Sequence, residues 1–316
     1  MLNWGIMGLG NIAQEFADGM NVLHPIYGAS ARSYEKALKF QEKNHVLHIY
    51  KSYEDMMKNP EIDIIYIATV NSQHYKNIMD CLKHGKHVLC EKAIWGNYKE
   101  LKSAYDYAQE HHLLLCEAMT IYHMPIFTKI KEMIKEGKLG KIKMVEADLG
   151  SLKEDDPTNR FFSKELGGGA MLDIGTYALS FLRYFLEGNL KDMQHVMCKY
   201  STGVDEMWGI NITTDKDEIG NANLTFRAKL PKRGVVAGEK AYITVYNYVR
   251  AQEAVLTYPD GKTEVIACGE TAKALTYEIQ DIEESIQHWG CGKDYMKETL
   301  DVIYMMDQLL REENLL

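Results

Sequence analysis

The run Gly8-Leu9-Gly10-Asn11-Ile12-Ala13, set directly after the apolar stretch 2–7, constrains this chain more than any other feature. Small residues at these spacings between a strand and a helix are what a turn needs when its backbone must approach a ligand closely. Gly8 permits the tight turn, Gly10 removes the side chain that would hold a ligand away, and Ala13 lets the helix lie against the strand. Asn11 and Ile12 open that helix, where unpaired backbone N–H groups and the positive dipole end face a phosphate. Such a run also occurs in purely structural turns. Here the amphipathic Ile12-Ala13-x-x-Phe16-Ala17 pattern behind it and the βαβ continuation favour a dinucleotide pyrophosphate.

The first third alternates short apolar runs with amphipathic stretches, the pattern of βαβ units on a parallel sheet. Strands are expected at 2–7, 26–30, 62–68, 87–90 and 113–118, and helices near 12–20, 34–43, 53–58, 73–84 and 98–111. From about Tyr122 the character changes. A helix at 126–136, a strand at 142–149 and a helix at 170–186 precede a β-rich stretch, with strands at 194–200, 207–213, 222–229, 242–246, 254–258 and 263–267. Pro259-Asp260-Gly261 is a hairpin turn, and helices at 277–289 and 294–313 close the chain. The expected architecture is an α/β N-terminal Rossmann domain over 1–120, followed by an α+β domain over 121–316 that holds the substrate. The sheet of that second domain should be large, open and mostly antiparallel.

At the end of the second strand an NAD-specific site usually places an acidic residue for the ribose 2′-OH. This chain has Ser30-Ala31-Arg32-Ser33 instead. A guanidinium and hydroxyls can bind a 2′-phosphate and nothing acidic repels it, so NADP is favoured, with NAD possible. The loop Ala68-Thr69-Val70-Asn71-Ser72-Gln73-His74 ends the third strand at the ligand-facing edge of the sheet, bordering the nicotinamide side. Thr69, Asn71 and His74 are cofactor candidates there, against an N-cap for Asn71 and a plain helix position for His74. Glu91 and Lys92 follow the next strand at the same edge, where charge needs a reason. Lys92 can polarise a substrate oxygen and Glu91 can hold the lysine, or the two form a surface ion pair.

Asp173 and Tyr177 follow the triplet Gly167-Gly168-Gly169 and share one face of a helix. A phenol is a poor acid or base near neutrality unless an ammonium beside it favours the phenolate, and Lys92 is the candidate ammonium. Tyr122 and Arg160 are further substrate-contact candidates, with loop structure as the alternative.

Composition excludes other classes. A formal charge of −9 argues against nucleic acid or an anionic membrane, which call for a basic face. The six cysteines are scattered, with no CxxC pair and no histidine at ligand spacing, so no metal site is expected and the thiols read as reduced. The chain enters its first strand directly and contains no long apolar run, so a cytoplasmic setting is expected.

With these pieces together the chain resembles the Gfo/Idh/MocA oxidoreductase family over nearly its whole length. The motifs are GLGNIA at 8–13, IATVNSQH at 67–74, GKHVLCEK at 85–92, CEAM at 116–119 and GGGAMLDIGTY at 167–177. The resemblance implies hydride transfer between NADP(H) and a small polyol, sugar, diol or carbonyl compound, and a homodimer or higher homo-oligomer formed through the C-terminal sheet. Lys92 matches the lysine of the family's Glu-Lys-Pro motif and Asp173 the aspartate of its site helix. Tyr177 stands where many members have histidine, as in the dimeric dihydrodiol dehydrogenase and glucose–fructose oxidoreductase branch, where the tyrosine is regarded as the acid/base. Ala93 departs from the family's proline; alanine prefers a trans bond, so a differently shaped Lys92 loop is expected. Two other readings stay open: a regulatory protein that senses NADP(H) or a sugar without turnover, and a hydrolase or epimerase that retains NAD.

Overall fold

A computed structural model describes residues 1–315. The chain forms two compact units, Met1–Met119 with Ala272–Leu300, and Thr120–Thr271 with the chain from Asp301 onward.

The first unit runs β1 (Trp4–Met7), α1 (Asn11–Met20), β2 (Ile26–Ser30), α2 (Tyr34–Lys43), β3 (Val46–Tyr50) and α3 (Tyr53–Lys58). It continues with β4 (Ile64–Ile67), α4 (His74–Lys83), β5 (His87–Glu91), α5 (Tyr98–Glu110) and β6 (Leu115–Ala118). Side-chain caps start several helices: Ser33 accepts the Lys36 N–H, Ser52 the Asp55 N–H and Asn97 the Glu100 N–H. The six strands pair in the order β3-β2-β1-β4-β5-β6, parallel throughout. This is the doubly wound order in which ligands sit beyond the strand C-termini where the order reverses, between β1 and β4. Phe16 of α1 is fully buried and stacks on Tyr66 of β4 with ring centroids 3.7 Å apart. Burying such a side chain contributes roughly 1.5–3 kcal/mol and fixes the helix that presents the glycine turn.

The expected strand at 2–7 begins only at Trp4, and β3 was not anticipated. Its Leu47 and His48 are exposed, as an edge strand allows, so its apolar pattern is broken.

The second unit contains α6 (Pro125–Lys135), β7 (Ile142–Gly150), α7 (Thr176–Phe185), β8 (Leu190–Lys199), β9 (Asp205–Thr214) and β10 (Ile219–Thr225). Then follow β11 (Arg233–Gly238), β12 (Tyr242–Tyr246), β13 (Glu253–Thr257) and β14 (Thr263–Ala267). They pair in the order β14-β13-β12-β11-β7-β10-β9-β8; the β7–β10 pair is parallel and the others antiparallel. Val145, Ala147 and Leu149 of β7 point into the core while Glu146 and Asp148 alternate to the open face. Gly234 of β11 lies under the Phe181 ring of α7, where a Cβ would overlap the ring. β11 lies outside the expected strands, its apolar run being interrupted by glycine and flanked by Lys232-Arg233.

Two helices close the chain, α8 (Ala274–Gln287) and α9 (Met296–Glu312). The segment Ala272–Leu300, expected in the second domain, belongs to the first unit. Ile279 and Ile282 of α8 join the first unit's core, and Glu283 accepts the Trp4 indole N–H at 2.9 Å and pairs with His24 at 2.8 Å. Among the described residues no helix is long and apolar enough to cross a membrane.

Candidate functional site

Gly8 follows β1 with φ of 88°, and its N–H donates to the Ser30 carbonyl at 3.0 Å. A Cβ there would lie 2.8 Å from the Ala68 carbonyl oxygen, so only glycine lets the β1 and β4 loops approach this closely. Gly10 meets nothing within 4 Å, and it caps α1 without a side-chain hydrogen bond. The first-turn N–H groups of Asn11 and Ile12 are therefore available to an anion from outside the helix.

Gly8, Gly10, Arg32 and Thr69 line one cavity of about 550 Å³. Ser33, Lys36 and Tyr53 complete the end near Arg32, and Gln73 and Asn77 the end near Thr69. Burial raises the Tyr53 phenol and the Arg32 guanidinium pulls it back down, which places the two within electrostatic reach. Asn77 Nδ2 donates to Thr69 Oγ1 at 2.9 Å and so fixes the β4 loop. A glycine turn that a Cβ would block, opening on a cavity that Arg32 and Lys36 also line, fits a nicotinamide dinucleotide.

Three expected ligands sit elsewhere. Ser30 is fully buried, and its hydroxyl donates to the Tyr50 carbonyl at 3.3 Å; Ser33, three residues on, lines the cavity instead. His74 is also fully buried, its Nδ1 3.1 Å from the Ala93 carbonyl and its Nε2 3.1 Å from the Thr69 carbonyl. Burial holds its pKa below the ordinary value, and a neutral ring donates to one of these carbonyls at a time. His74 thus packs between the cavity loop and the lysine segment, outside the cavity lining. Asn71 opens a short 3-10 turn, Asn71–Gln73, and is exposed outside the cavity lining.

Glu91 ends β5 and accepts the Tyr66 hydroxyl, while the Lys92 N–H donates to Glu91 Oε2 at 3.2 Å. Burial and Glu91 hold the Tyr66 phenol well above its ordinary pKa, so it stays a donor. Lys92 is half-buried beyond the strand end. The Lys92–Ala93 peptide bond is cis, where the alanine pointed to trans. The segment around it is packed: Ala93 is buried, its carbonyl faces His74, and the Ile94 N–H donates to Glu117 Oε1 at 2.9 Å.

In the second unit the helix expected over 170–186 begins with a π turn, Met171–Gly175, that carries Asp173 and runs into α7 with Tyr177 in its first turn. Such turns recur at functional sites because they re-aim side chains. Asp205 holds the start of this turn: at 3% exposure it accepts the Met171 N–H at 2.6 Å and the Trp208 indole N–H at 2.7 Å. Gly169, at φ of 131°, leaves room for that carboxylate. Burial raises the Asp205 pKa and these donors oppose the rise.

Lys153 Nζ lies 3.8 Å from Asp173 Oδ2 and 3.7 Å from the Phe161 ring centroid. Arg160, which is exposed, has its guanidinium 4.1 Å from the same ring. Tyr122, the other expected substrate contact, is 1% exposed and stacks on Tyr184 at 5.7 Å; its apolar surroundings Ile121 and Met124 signalled core. Tyr177 is half-buried, and Tyr248, wholly buried, is raised in pKa chiefly by burial and further by Asp148 and Tyr177. Sequence reasoning missed Lys36, Tyr53, Lys153, Asp205 and Tyr248. Lys36 alone had a signal, its place in the first turn of the helix that follows Arg32.

Residues 2–119 match a family model described as an oxidoreductase family with an NAD-binding Rossmann fold, and residues 127–244 match the GFO/IDH/MocA C-terminal domain. The trans-1,2-dihydrobenzene-1,2-diol dehydrogenase of Danio rerio is 30% identical over 77% of this chain and 74% of its own. Among solved structures, the fold is shared with KijD10, a 3-ketoreductase from Actinomadura kijaniata determined with NADP and a TDP-benzene ligand. It has a TM-score of 0.83 at 19% identity over 97% of this chain and 96% of that one. An aldose-aldose oxidoreductase from Caulobacter crescentus gives a TM-score of 0.86 at 18% identity over 99% and 97% of the two chains.

Proposed function

The chain belongs to the Gfo/Idh/MocA oxidoreductase family, and from that premise we propose that it is an NADP(H)-dependent dehydrogenase or reductase acting on a small polyol, sugar, diol or carbonyl compound. The observation that carries the reading is the cavity with the Gly8 and Gly10 turn along it and Arg32, Ser33 and Lys36 at its end. Arg32 and Lys36 bind the 2′-phosphate, and the open backbone of Gly10, Asn11 and Ile12 binds the pyrophosphate. A nicotinamide dinucleotide bound there supplies or accepts the hydride.

The chain's own side chains handle the oxygen and its proton. Lys92 stabilises negative charge on the reacting oxygen, and Tyr177 takes the hydroxyl proton in oxidation or returns it in reduction. Asp173 orients the substrate by accepting from its hydroxyl groups, with Lys153 beside it. A cytoplasmic setting is the reading that six scattered cysteines without a CxxC pair support. The open face of the eight-stranded sheet, with Glu146, Asp148 and Arg233, is the proposed contact between copies; sedimentation of the native chain against a variant with charges reversed on that face tests it.

An NADPH absorbance assay over polyols, aldoses, diols and their carbonyl counterparts tests the function. Turnover of at least one class that Lys92→Met abolishes, with NADPH affinity retained, is the expected result. NADPH binding with no turnover across the panel would mark a sensing protein, and unchanged kcat in Lys92→Met would remove the lysine from the reaction.

A further inference from the structure

Behind the lysine segment lies a carboxylate that the reaction above does not use. Glu117 of β6 is 2% exposed. Its Oε1 accepts the Ile94 N–H at 2.9 Å and its Oε2 accepts the Thr299 hydroxyl at 3.2 Å. Ile94 is two residues past Lys92 and fully buried, so Glu117 grips the backbone that leads away from the amine. A core carboxylate is expensive to keep and needs a use.

The charges around it make its state conditional. Lys92 favours the carboxylate and Glu91 opposes it, while burial is the largest influence and pushes Glu117 up to about 7. Cys90, paired with Glu117 across β5 and β6, is fully buried and held far up as a neutral thiol. Tyr66 is occupied by Glu91, and α9 presents the Thr299 hydroxyl, which carries no charge. Lys92 and Glu91 are the charged groups whose action on Glu117 is resolved, Glu278 of α8 is a further buried carboxyl that acts on the neighbouring Cys116 and on Tyr66, and His74 lies beside the Ala93 carbonyl as a neutral ring.

We propose that Glu117 is a proton-linked positioning residue for Lys92: as a carboxylate it grips the Ile94 amide and balances the ammonium, and on taking up a proton it weakens both. A hydrogen bond to an ionised acceptor is about twice as strong as one to a neutral acceptor, so protonation loosens the segment without breaking the fold. A misplaced catalytic group costs up to about 100-fold in rate for about 1 Å, so a shift of a fraction of that lowers kcat about tenfold. The inference rests on the reading of Lys92 as the group that acts on the substrate oxygen.

The test uses the full chain as wild type, Glu117→Gln and Glu117→Asp, with one readout that needs no turnover. Competitive acetylation of Lys92 with acetic anhydride, located by mass spectrometry from about pH 5.5 to about 9, reports the amine's state. Wild type is expected to show an inflection near neutrality that Glu117→Gln lacks. In the kinetic arm, kcat of wild type falls about tenfold on the acid side, Glu117→Gln loses that limb, and Glu117→Asp turns over more slowly because its shorter side chain falls short of Ile94. NADPH affinity stays unchanged in both variants. The same inflection in wild type and Glu117→Gln overturns the proposal. If the Gln variant does not fold, isotope-edited infrared of the wild-type carboxyl decides, and a Glu117 that stays ionised or stays neutral across the range overturns it. A wild type that turns over nothing counts against the oxidoreductase reading alone, since the labelling and infrared arms still report on Glu117.

Discussion

The ammonium of Lys153 stands 3.8 Å from the carboxylate of Asp173, which gives the aspartate of the site turn a cation from its own unit. The pair is partly sheltered, the Lys153 side chain at 16% exposure and that of Asp173 at 26%. Lys153→Met keeps the hydrocarbon that covers Phe161 and deletes the charge. We expect KM for substrate to rise and kcat/KM to fall about tenfold, equivalent to about 1.4 kcal/mol, with NADPH affinity unchanged. Steady-state kinetics with a parallel NADPH titration check this; an unchanged kcat/KM would leave the pair a structural contact only.

Arg32 and Lys36 are both exposed and line the same end of the cavity. A phosphate held by two cations at a solvent edge loses about 1.5–3 kcal/mol when the arginine fork is removed, and less for a lysine point charge. Arg32→Ala is therefore expected to weaken NADPH about 10- to 100-fold and NADH little, with Lys36→Ala following the same direction at smaller size. Kd values from NADPH fluorescence decide it, and equal losses for the two cofactors would argue for a 2′-OH site.

The division of labour along the sequence explains what could be read in advance. The glycine turn and the alternation that gives the parallel sheet are local features, written in residues adjacent in the chain. Arg32 was legible for the same reason. Ser30 was not told apart from Ser33, because the inward turn of the last β2 residue depends on the register Ser30↔Tyr50 with β3, an edge strand with a broken pattern. His74 looked like a surface position because its two carbonyl partners, at Thr69 and Ala93, meet only after α4 has docked beside β5. Asp205 and Lys153 reach the site turn from β9 and from the stretch after β7, and no spacing in the sequence encodes such an approach.

The glycine turn itself carries a steric prediction. Gly8→Ala places a Cβ 2.8 Å from a backbone oxygen at a φ of 88°, so neither the carbonyl nor the strand end can give way cheaply. A residue held in such a region costs about 1–3 kcal/mol, and the displaced β4 loop carries Thr69 with it. The variant should lose at least about tenfold in affinity for both NADPH and NADH, since the pyrophosphate is common to them. Gly10→Ala meets open space and should lose affinity while leaving the thermal midpoint nearly unchanged, so calorimetry with a cofactor titration separates the two glycines.

Glu117 makes stability depend on pH with a definite sign. Burial lifts its carboxyl from 4.5 to about 7 in the folded chain. Between those values the folded protein holds a proton that the unfolded chain has released, so unfolding free energy falls as pH rises through the window and levels off on either side. A separation of this size amounts to roughly 3 kcal/mol between pH 4.5 and 8 for this group. Glu117→Gln does not titrate, so its thermal midpoint relative to wild type should climb by several degrees between about pH 5 and about pH 8, whatever the offset at either end. The offset carries the cost of exchanging one Ile94 acceptor for another, whereas the slope carries only the proton. A flat difference across this range would mean that Glu117 never changes charge there, and the grip on the lysine segment would then be constant with pH.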